Sequence, residues 1–197
     1  MEIRSNERLF ITGKTGSGKS YWVKKQLNQL DRFIFYDPKH EHKDIEGTSV
    51  NSLNDLKAAL AQGVKHIIYK PFAMDDEVFN SICEIVWLEG NITLIIDEIA
   101  FHATSSSILT WHSVLLRLGR TKGIGVWNLT QRTRSCLHNT ILSETTHVIC
   151  FKLMLETDRK KLAESFDPLF MEAHNLDEFH YIYYNTSEDT ARIMPPI

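Results

Sequence analysis

The sequence lacks most features of secreted or membrane-embedded proteins. Its 197 residues include only three cysteines, Cys83, Cys136 and Cys150, which are widely spaced and form no CxxC pattern. This spacing argues against a disulfide framework and predicts buried, reduced thiols in a reducing compartment. The longest apolar run is only a few residues, and the first residues, MEIRSNER, are polar. We therefore expect neither a membrane span nor a signal peptide, and a cytosolic location.

A zinc-binding pattern and a net positive charge are also missing. The pairs His40 with His42 and His102 with His112 lack the second half of any known zinc spacing, so we expect no structural metal site. The net charge of −3 argues against a protein that coats nucleic acid with its whole surface. A local basic groove remains compatible with that charge.

Apolar strand candidates alternate with helical segments, and no linker or repeat interrupts them. This order predicts one α/β domain over residues 1–197, with core motifs in 7–134 and a C-terminal completion in 145–197. The sheet should be open and mostly parallel, with helices on both faces and ligands at the carboxyl ends of the strands. Strands are predicted at 7–12, 32–37, 66–69, 92–96, 124–129, 146–151 and 180–184, and helices at 19–30, 52–62, 75–89, 107–118 and 158–166.

A glycine-rich loop between the first strand and the first helix matches the phosphate-binding pattern GxxxxGK[ST]. Its glycines let backbone N–H groups point at phosphate oxygens, and the following helix adds its positive N-terminus. Lys19 should neutralise the β and γ oxygens, and the Ser20 hydroxyl should bind Mg²⁺. The alternative is a merely flexible glycine loop. The matching residues are Gly13, Lys14, Thr15, Gly16, Ser17, Gly18, Lys19 and Ser20.

Two acids, Asp97 and Glu98, follow the fully apolar strand ITLII. Asp97 is expected near the Mg²⁺ shell, and Glu98 is expected to orient or deprotonate an attacking water. A P-loop kinase needs no base for water, so Glu98 favours hydrolysis. An exposed acidic turn after a strand is the alternative.

A third block, Arg117 to Ile124, runs into the strand IGVWNL and ends in Thr130-Gln131-Arg132. In order and spacing, GKTGSGKS, LIIDE and GRxxGI with its TQR ending resemble the FtsK/HerA superfamily of DNA-translocating ATPases. Asp37-Pro38-Lys39 also resembles that family. The motifs cover residues 7–134, and the short chain is most similar to the viral genome-packaging branch, found in icosahedral viruses with internal membranes. The resemblance implies a P-loop NTPase fold of the RecA-like (ASCE) type.

The resemblance also implies roles for two residues outside the phosphate loop. Gln131 matches the polar sensor that contacts the γ-phosphate or its water, with Asn128 and Thr130 as competitors and a strand-capping amide as the alternative. Arg120 matches an arginine that reaches the site of a neighbouring subunit, which implies a homo-oligomeric ring, a hexamer or pentamer. Arg117 is the second choice, and a solvated helix end is the alternative for both arginines.

Charge patterning indicates a nucleic-acid partner independently of the resemblance. No Asp or Glu occurs from Ile99 to Ser143, where five basic residues lie. Lys122, Arg132 and Arg134, with the Phe101-His102 pair, are candidates for gripping the backbone of double-stranded DNA. A basic subunit interface is the alternative.

The sequence as a whole favours an ATP- and Mg²⁺-dependent DNA motor that packages a viral genome, with capsid or membrane-vertex proteins as further partners. The rivals are a cellular or plasmid DNA translocase, and a P-loop kinase or morphogenesis factor without DNA activity. Near the C-terminal end, HYIYY predicts an edge strand. The tail MPPI is expected to continue no strand or helix and to be available for docking on a neighbour.

Overall fold

The computed structural model describes residues 3–197, and the alternating apolar segments of this range form a layered α/β structure. The strands are β1 (Arg8–Thr12), β2 (Phe33–Tyr36), β3 (Thr48–Val50), β4 (His66–Tyr69), β5 (Thr93–Ile96), β6 (Gly125–Thr130), β7 (His147–Phe151), β8 (Tyr181–Asn185) and β9 (Thr190–Met194). The helices are α1 (Lys19–Leu27), α2 (Leu53–Ala61), α3 (Asp76–Glu89), α4 (Thr110–Leu118), α5 (Thr133–Cys136), α6 (Asn139–Glu144) and α7 (Glu156–Ser165).

The nine strands within residues 3–197 form one sheet in the order β3-β4-β2-β5-β6-β1-β7-β8-β9. The first seven strands in this order are parallel to one another, whereas β8 is antiparallel to both β7 and β9. Strand β6 lies between β1, which precedes the glycine-rich loop, and β5, which precedes the acid pair. The ends of these three strands therefore meet at one edge of the sheet, as parallel strands require.

Helices cover both faces of the sheet, as the sequence predicts. On one face Phe10, Ile34 and Tyr36 pack with apolar residues of α2, α3 and α4. On the other face Leu9 and Ile11 pack against α1. Successive residues of a strand point to opposite faces, so strands buried on both faces are continuously apolar. The side chains of α1 in this second core are Trp22, Val23 and Leu27.

Two helix starts illustrate how side chains set the element boundaries. Ser52 caps α2 by accepting a hydrogen bond from the amide of Asp55, as its position predicts. Helix α4 begins at Thr110 rather than at 107, because Thr104 Oγ1 accepts from the amides of Ser106 and Ser107 and stabilises a turn.

The C-terminal segment differs from its sequence prediction. Strand β8 is not an edge strand, because β7 pairs with it on one side and β9 on the other. The edge strand on this side of the sheet is β9, which the sequence did not predict and which includes Met194. Ile197 packs partly buried against the core that contains Trp22. The tail therefore contacts its own chain.

The predicted burial of the cysteines is confirmed. All three cysteines are unpaired and buried. Burial raises the pKa of Cys136 to about 12, which keeps it a thiol at neutral pH. No helix within residues 3–197 is long and apolar enough to cross a membrane.

Candidate active site

The glycine-rich loop connects the end of β1 at Thr12 to the start of α1 at Lys19. Gly13 has φ +149°, and a Cβ there would lie 2.7 Å from Phe151 Cβ and 2.8 Å from Ser17 Oγ. Gly18, with φ +108°, occupies the N-cap position of α1. Only glycine fits both positions without displacing neighbours or straining the backbone. The conformation of the loop therefore depends on these two glycines, a requirement that a merely flexible linker would not have.

Lys19 is buried beneath the loop, where its Nζ donates to the carbonyl oxygens of Gly13 at 2.6 Å and Lys14 at 3.0 Å. Burial lowers the pKa of Lys19 to about 8, although the negative charges of Glu98 and Asp97 oppose this shift. The Oγ of Ser17 is buried without a hydrogen-bond partner among the described residues. A buried hydroxyl and a buried ammonium at one loop fit an anionic ligand rich in oxygen atoms.

Glu98 follows β5 with φ +71°, a left-handed conformation that costs a non-glycine residue about 1–3 kcal/mol. The Thr130 hydroxyl donates to Glu98 Oε1 at 2.7 Å, and the backbone N–H of Gln131 donates to the same oxygen at 3.4 Å. Lys39 Nζ lies 3.5 Å from Oε2. The carboxylate is buried and held by three donors, so it is not an exposed acidic turn.

Asp97 lies in a buried group that sequence patterns did not identify. His42 Nε2 is 3.1 Å from Asp97 Oδ2. The two oxygens of the Asp37 carboxylate accept from the amides of Glu41 and His42, which fixes the loop that carries His42. One ligand atom from each of Asp37, His42 and Asp97 lies within 4.8 Å of the others. Asp37 and Asp97 each stood in a motif, but His42 did not, and no spacing rule connects His42 to residue 97.

The candidate sensor Gln131 reaches the phosphate loop directly. Thr15 Oγ1 donates to Gln131 Oε1 at 2.7 Å. Of the competing sensors, Thr130 contacts Glu98, as described above. Asn128 is buried within β6, where its Oδ1 lies 3.1 Å from His112 Nε2. Strand β6 thus brings Thr130 and Gln131 to the loop and leaves Asn128 in the core.

Arg120 and Lys122 lie at the opposite edge of the sheet from the loop. Both precede β6, whereas the loop follows β1, and β1 and β6 are parallel with Arg8 beside Val126. A five-residue strand such as β1 spans about 13 Å. Arg120 is exposed there, and Arg117 donates to Thr140 Oγ1 at 3.2 Å. Lys122 donates to the Trp87 carbonyl and covers its ring at 4.6 Å.

Arg132 and Arg134 are exposed at the same edge as the phosphate loop, because they follow β6. The neighbouring loop after β5 is joined to this segment by the Ser105 amide, which donates to the Ser135 carbonyl at 2.9 Å. The Phe101-His102 pair is divided. Phe101 is exposed beneath Lys39, whereas His102 is buried and stacked on Phe79 at 4.1 Å.

Comparisons with known proteins identify the fold. No family model matches the sequence, and no curated protein matches it. Among solved structures, the genome-packaging NTPase B204 of Sulfolobus turreted icosahedral virus 2, in complex with ATP-gammaS, is similar with a TM-score of 0.86. The two sequences are 20% identical over 99% of this chain and 100% of that chain.

Two bacterial proteins have a more distant likeness. The N-terminal domain of zonular occludens toxin from Neisseria meningitidis has a TM-score of 0.56 at 13% identity, over 97% of this chain and 94% of that chain. The cytoplasmic domain of the Type VII secretion ATPase EccC from Thermomonospora curvata has a TM-score of 0.59 at 12% identity, over 96% of this chain and 25% of that one. The chain has the P-loop NTPase fold of the viral genome-packaging NTPases, as the resemblance of its motifs predicted.

Proposed function

We propose that the chain is a Mg²⁺-dependent ATPase that translocates double-stranded DNA, and that it packages a viral genome. The observation that carries this proposal is the position of β6 between β1 and β5. It joins the Glu98 carboxylate, through Thr130 and Gln131, to the phosphate loop. The similarity to a packaging NTPase solved with an ATP analogue supports the choice of nucleotide and of process.

The loop of residues 13–20 would bind the triphosphate through backbone amides, with Lys19 moving its hydrogen bonds from loop carbonyls to phosphate oxygens. The Ser20 hydroxyl and the Asp97 carboxylate would hold Mg²⁺, for which oxygen ligands are suitable. The buried carboxylates of Asp37 and Asp97 fit a cation at this edge. When bound, Mg²⁺ neutralises charge on the phosphate oxygens.

Glu98 would orient the attacking water and accept its proton, while Gln131 would position the γ-phosphate or that water. Arg120 is one strand length from the loop of its own chain, so it can act only on another subunit. A ring of five or six subunits would satisfy this requirement, and the ring would dock on capsid or membrane-vertex proteins in the host cytoplasm or virion. An arginine supplied in trans makes hydrolysis depend on assembly.

Arg132 and Arg134 would contact the DNA backbone. Both are exposed near the loop of residues 13–20, and they follow Gln131, which contacts this loop and would position the γ-phosphate. A conformational change at Gln131 would be transmitted to Arg132, because the two residues are adjacent in the chain. Lys122 lies at the other edge with its charge on Trp87, so we place it outside this contact surface.

The test is the ATPase rate with and without double-stranded DNA at several salt concentrations. DNA should stimulate the rate. In the Arg132→Ala/Arg134→Ala variant, the affinity for DNA should depend less on salt, and the slope of log DNA affinity against log salt concentration should be about 2 smaller in magnitude. Lys122→Ala is the matched control and should keep the wild-type slope. Turnover that is indifferent to DNA and requires a phosphoryl acceptor would identify a kinase instead.

The assignment of Glu98 is tested separately by Glu98→Gln. This variant should bind ATP with wild-type affinity and fail to cleave it, because the amide cannot accept the proton of water. Lys19→Ala, in contrast, should lose both binding and hydrolysis. Loss of ATP binding in Glu98→Gln would assign Glu98 a structural role only.

A further inference from the structure

Glu98 and Gln131, which are assigned to the attacking water and the γ-phosphate, lie on one side of β1. Glu98 follows β5 and Gln131 follows β6, and both strands are on the same side of β1 in the sheet order. The γ-phosphate must therefore point towards β5 and β6. Lys19 reaches the β- and γ-phosphates and Ser20 binds Mg²⁺, so these groups hold the phosphate end of the ligand, and its nucleoside end should leave the loop in the opposite direction. It must extend over the other side of β1, where β7, β8 and β9 lie.

Apolar side chains meet the loop on this second side. A Cβ placed on Gly18 would be 3.0 Å from Ile197 Cδ1, 3.2 Å from Phe179 Cδ1 and 3.2 Å from Phe151 Cε1. Phe151 is fully buried and forms the floor, whereas Phe179 is 45% exposed. Ile197 is partly buried. Phe179 also has φ +61°, a backbone conformation that bulky residues rarely adopt.

The antiparallel strands explain why distant residues reach the loop. The last residue of β7, Phe151, pairs with the first of β8, Tyr181, and Tyr181 pairs with the last of β9, Met194. The segment before β8 and the segment after β9 therefore lie at the same edge as the end of β1. Phe179 belongs to the first segment and Ile197 to the second.

We propose that Phe179 and Ile197 form the subsite for the base of the bound nucleotide. The inference rests on the proposed function, because it requires the phosphates to lie on residues 13–20. An aromatic ring and an aliphatic side chain recognise the flat face of a base, as stacking on exposed aromatic residues does elsewhere. A phenylalanine left half-exposed beside a phosphate loop gains a partner when a base covers it.

The test compares ADP with inorganic pyrophosphate, which carries the same phosphate groups without the base. Binding of each in the presence of Mg²⁺ is measured by calorimetry. Phe179→Ala should weaken ADP binding roughly tenfold and leave pyrophosphate binding unchanged, and Ile197→Ala should act in the same direction. The matched control is Phe72→Ala, since Phe72 is 83% exposed and follows β4, four positions from β1 in the sheet. It should bind both ligands like the wild type.

Equal losses of ADP and pyrophosphate in Phe179→Ala would overturn the proposal, because the residue would then only support the loop. Unchanged ADP binding in both variants would overturn it as well. If the wild-type chain binds neither ligand, the phosphate site of the proposed function fails too, which is a distinct outcome. A base-attached photoreactive ADP provides a second measurement on the unmodified chain. Its label should map to residues 179–181 or 195–197, and labelling elsewhere would contradict the subsite.

Discussion

Glu98 has two features that set it apart from an ordinary acid at a strand end. Its backbone is left-handed, and its Oε1 accepts from Thr130, the last residue of the neighbouring strand β6, and from Gln131, which follows that strand. The hydrogen bonds offset the backbone strain and fix the direction in which the carboxylate points. In the proposed reaction Glu98 is the general base, which must be oriented within hydrogen-bond reach of its water, so we expect these contacts to affect the rate.

Thr130→Val should lower kcat about tenfold while the affinity for ATP stays unchanged. Valine has the shape of threonine but cannot donate to Glu98, so the carboxylate loses a charge-assisted hydrogen bond worth more than 1 kcal/mol. Steady-state ATPase rates and nucleotide titration separate the two effects. Thr130→Ser keeps the hydroxyl and should retain most of the activity. A wild-type kcat in Thr130→Val would show that the Gln131 backbone amide and Lys39 are sufficient to orient Glu98.

His112 makes the stability of the fold depend on pH. It is fully buried, and this burial is the main reason why its pKa is lowered to about 4. The nearby charges of His102 and His138 lower the pKa further. Because the folded state binds the proton less well than the unfolded state, stability is complete above pH 6.5 and is lost as the pH falls towards 4. The loss between pH 7 and pH 5 should be about 2 kcal/mol.

Urea unfolding at several pH values measures this effect. His112→Gln keeps a side-chain donor for Asn128 but has no group that titrates, so its stability should change less over the same pH interval. An equal pH dependence in the two proteins would assign the effect to other groups.

At the scale of elements, the hairpin of β8 and β9 shows how pairing decides burial. Ile182 in β8 and Ile193 in β9 are partners in register, yet Ile182 is fully buried and Ile193 is 53% exposed. Strand β8 is covered because β9 pairs with its free side and 3-10 helix Pro168–His174 packs over it. The aromatic sequence HYIYY therefore belongs to an internal strand and not to the edge strand that the sequence predicted.

Ile182→Ala should destabilise the protein by about 2–5 kcal/mol, since it opens a cavity in the core. Ile193→Ala, which removes the same atoms from the partner position, should cost about 0.5 kcal/mol or less. Chemical denaturation of the two variants makes a direct comparison. Similar losses in both would mean that β9 is covered in solution, for instance by another subunit.

At the scale of the whole molecule, the phosphate loop and Arg120 lie at opposite edges of one sheet. In a ring, the edge that bears Arg120 can face the loop of the next subunit, and each site would then be built from two chains. The arrangement predicts that an isolated subunit binds nucleotide well and hydrolyses it poorly.

Arg120→Ala should reduce ATP hydrolysis by about 10³-fold without weakening ATP binding. Mixing Arg120→Ala subunits with Lys19→Ala subunits should restore activity, because some interfaces then pair an intact loop with an intact arginine. Arg117→Ala is the control, since Arg117 is engaged with Thr140 of its own chain. Absence of rescue at every mixing ratio would contradict an arginine acting in trans.

The sequence alone determined the elements whose signals are local. The phosphate loop is contiguous, and β4, predicted at 66–69, has those bounds in the structure. Alternation of strands and helices was enough to predict a mostly parallel sheet with helices on both faces, because such connections are right-handed and cover the sheet. Asp97 and Glu98 could be placed at a strand end because they directly follow the apolar strand ITLII in the sequence.

Only the tertiary structure decided which distant residues meet. His42 contacts Asp97 across 55 positions, and β9 turns β8 into an internal strand. The phosphate loop, the feature most evident in the sequence, meets Phe179 and Ile197 through antiparallel pairing that no local pattern records. Contacts of this kind depend on strand order and register, which are set by how the whole chain buries its apolar faces.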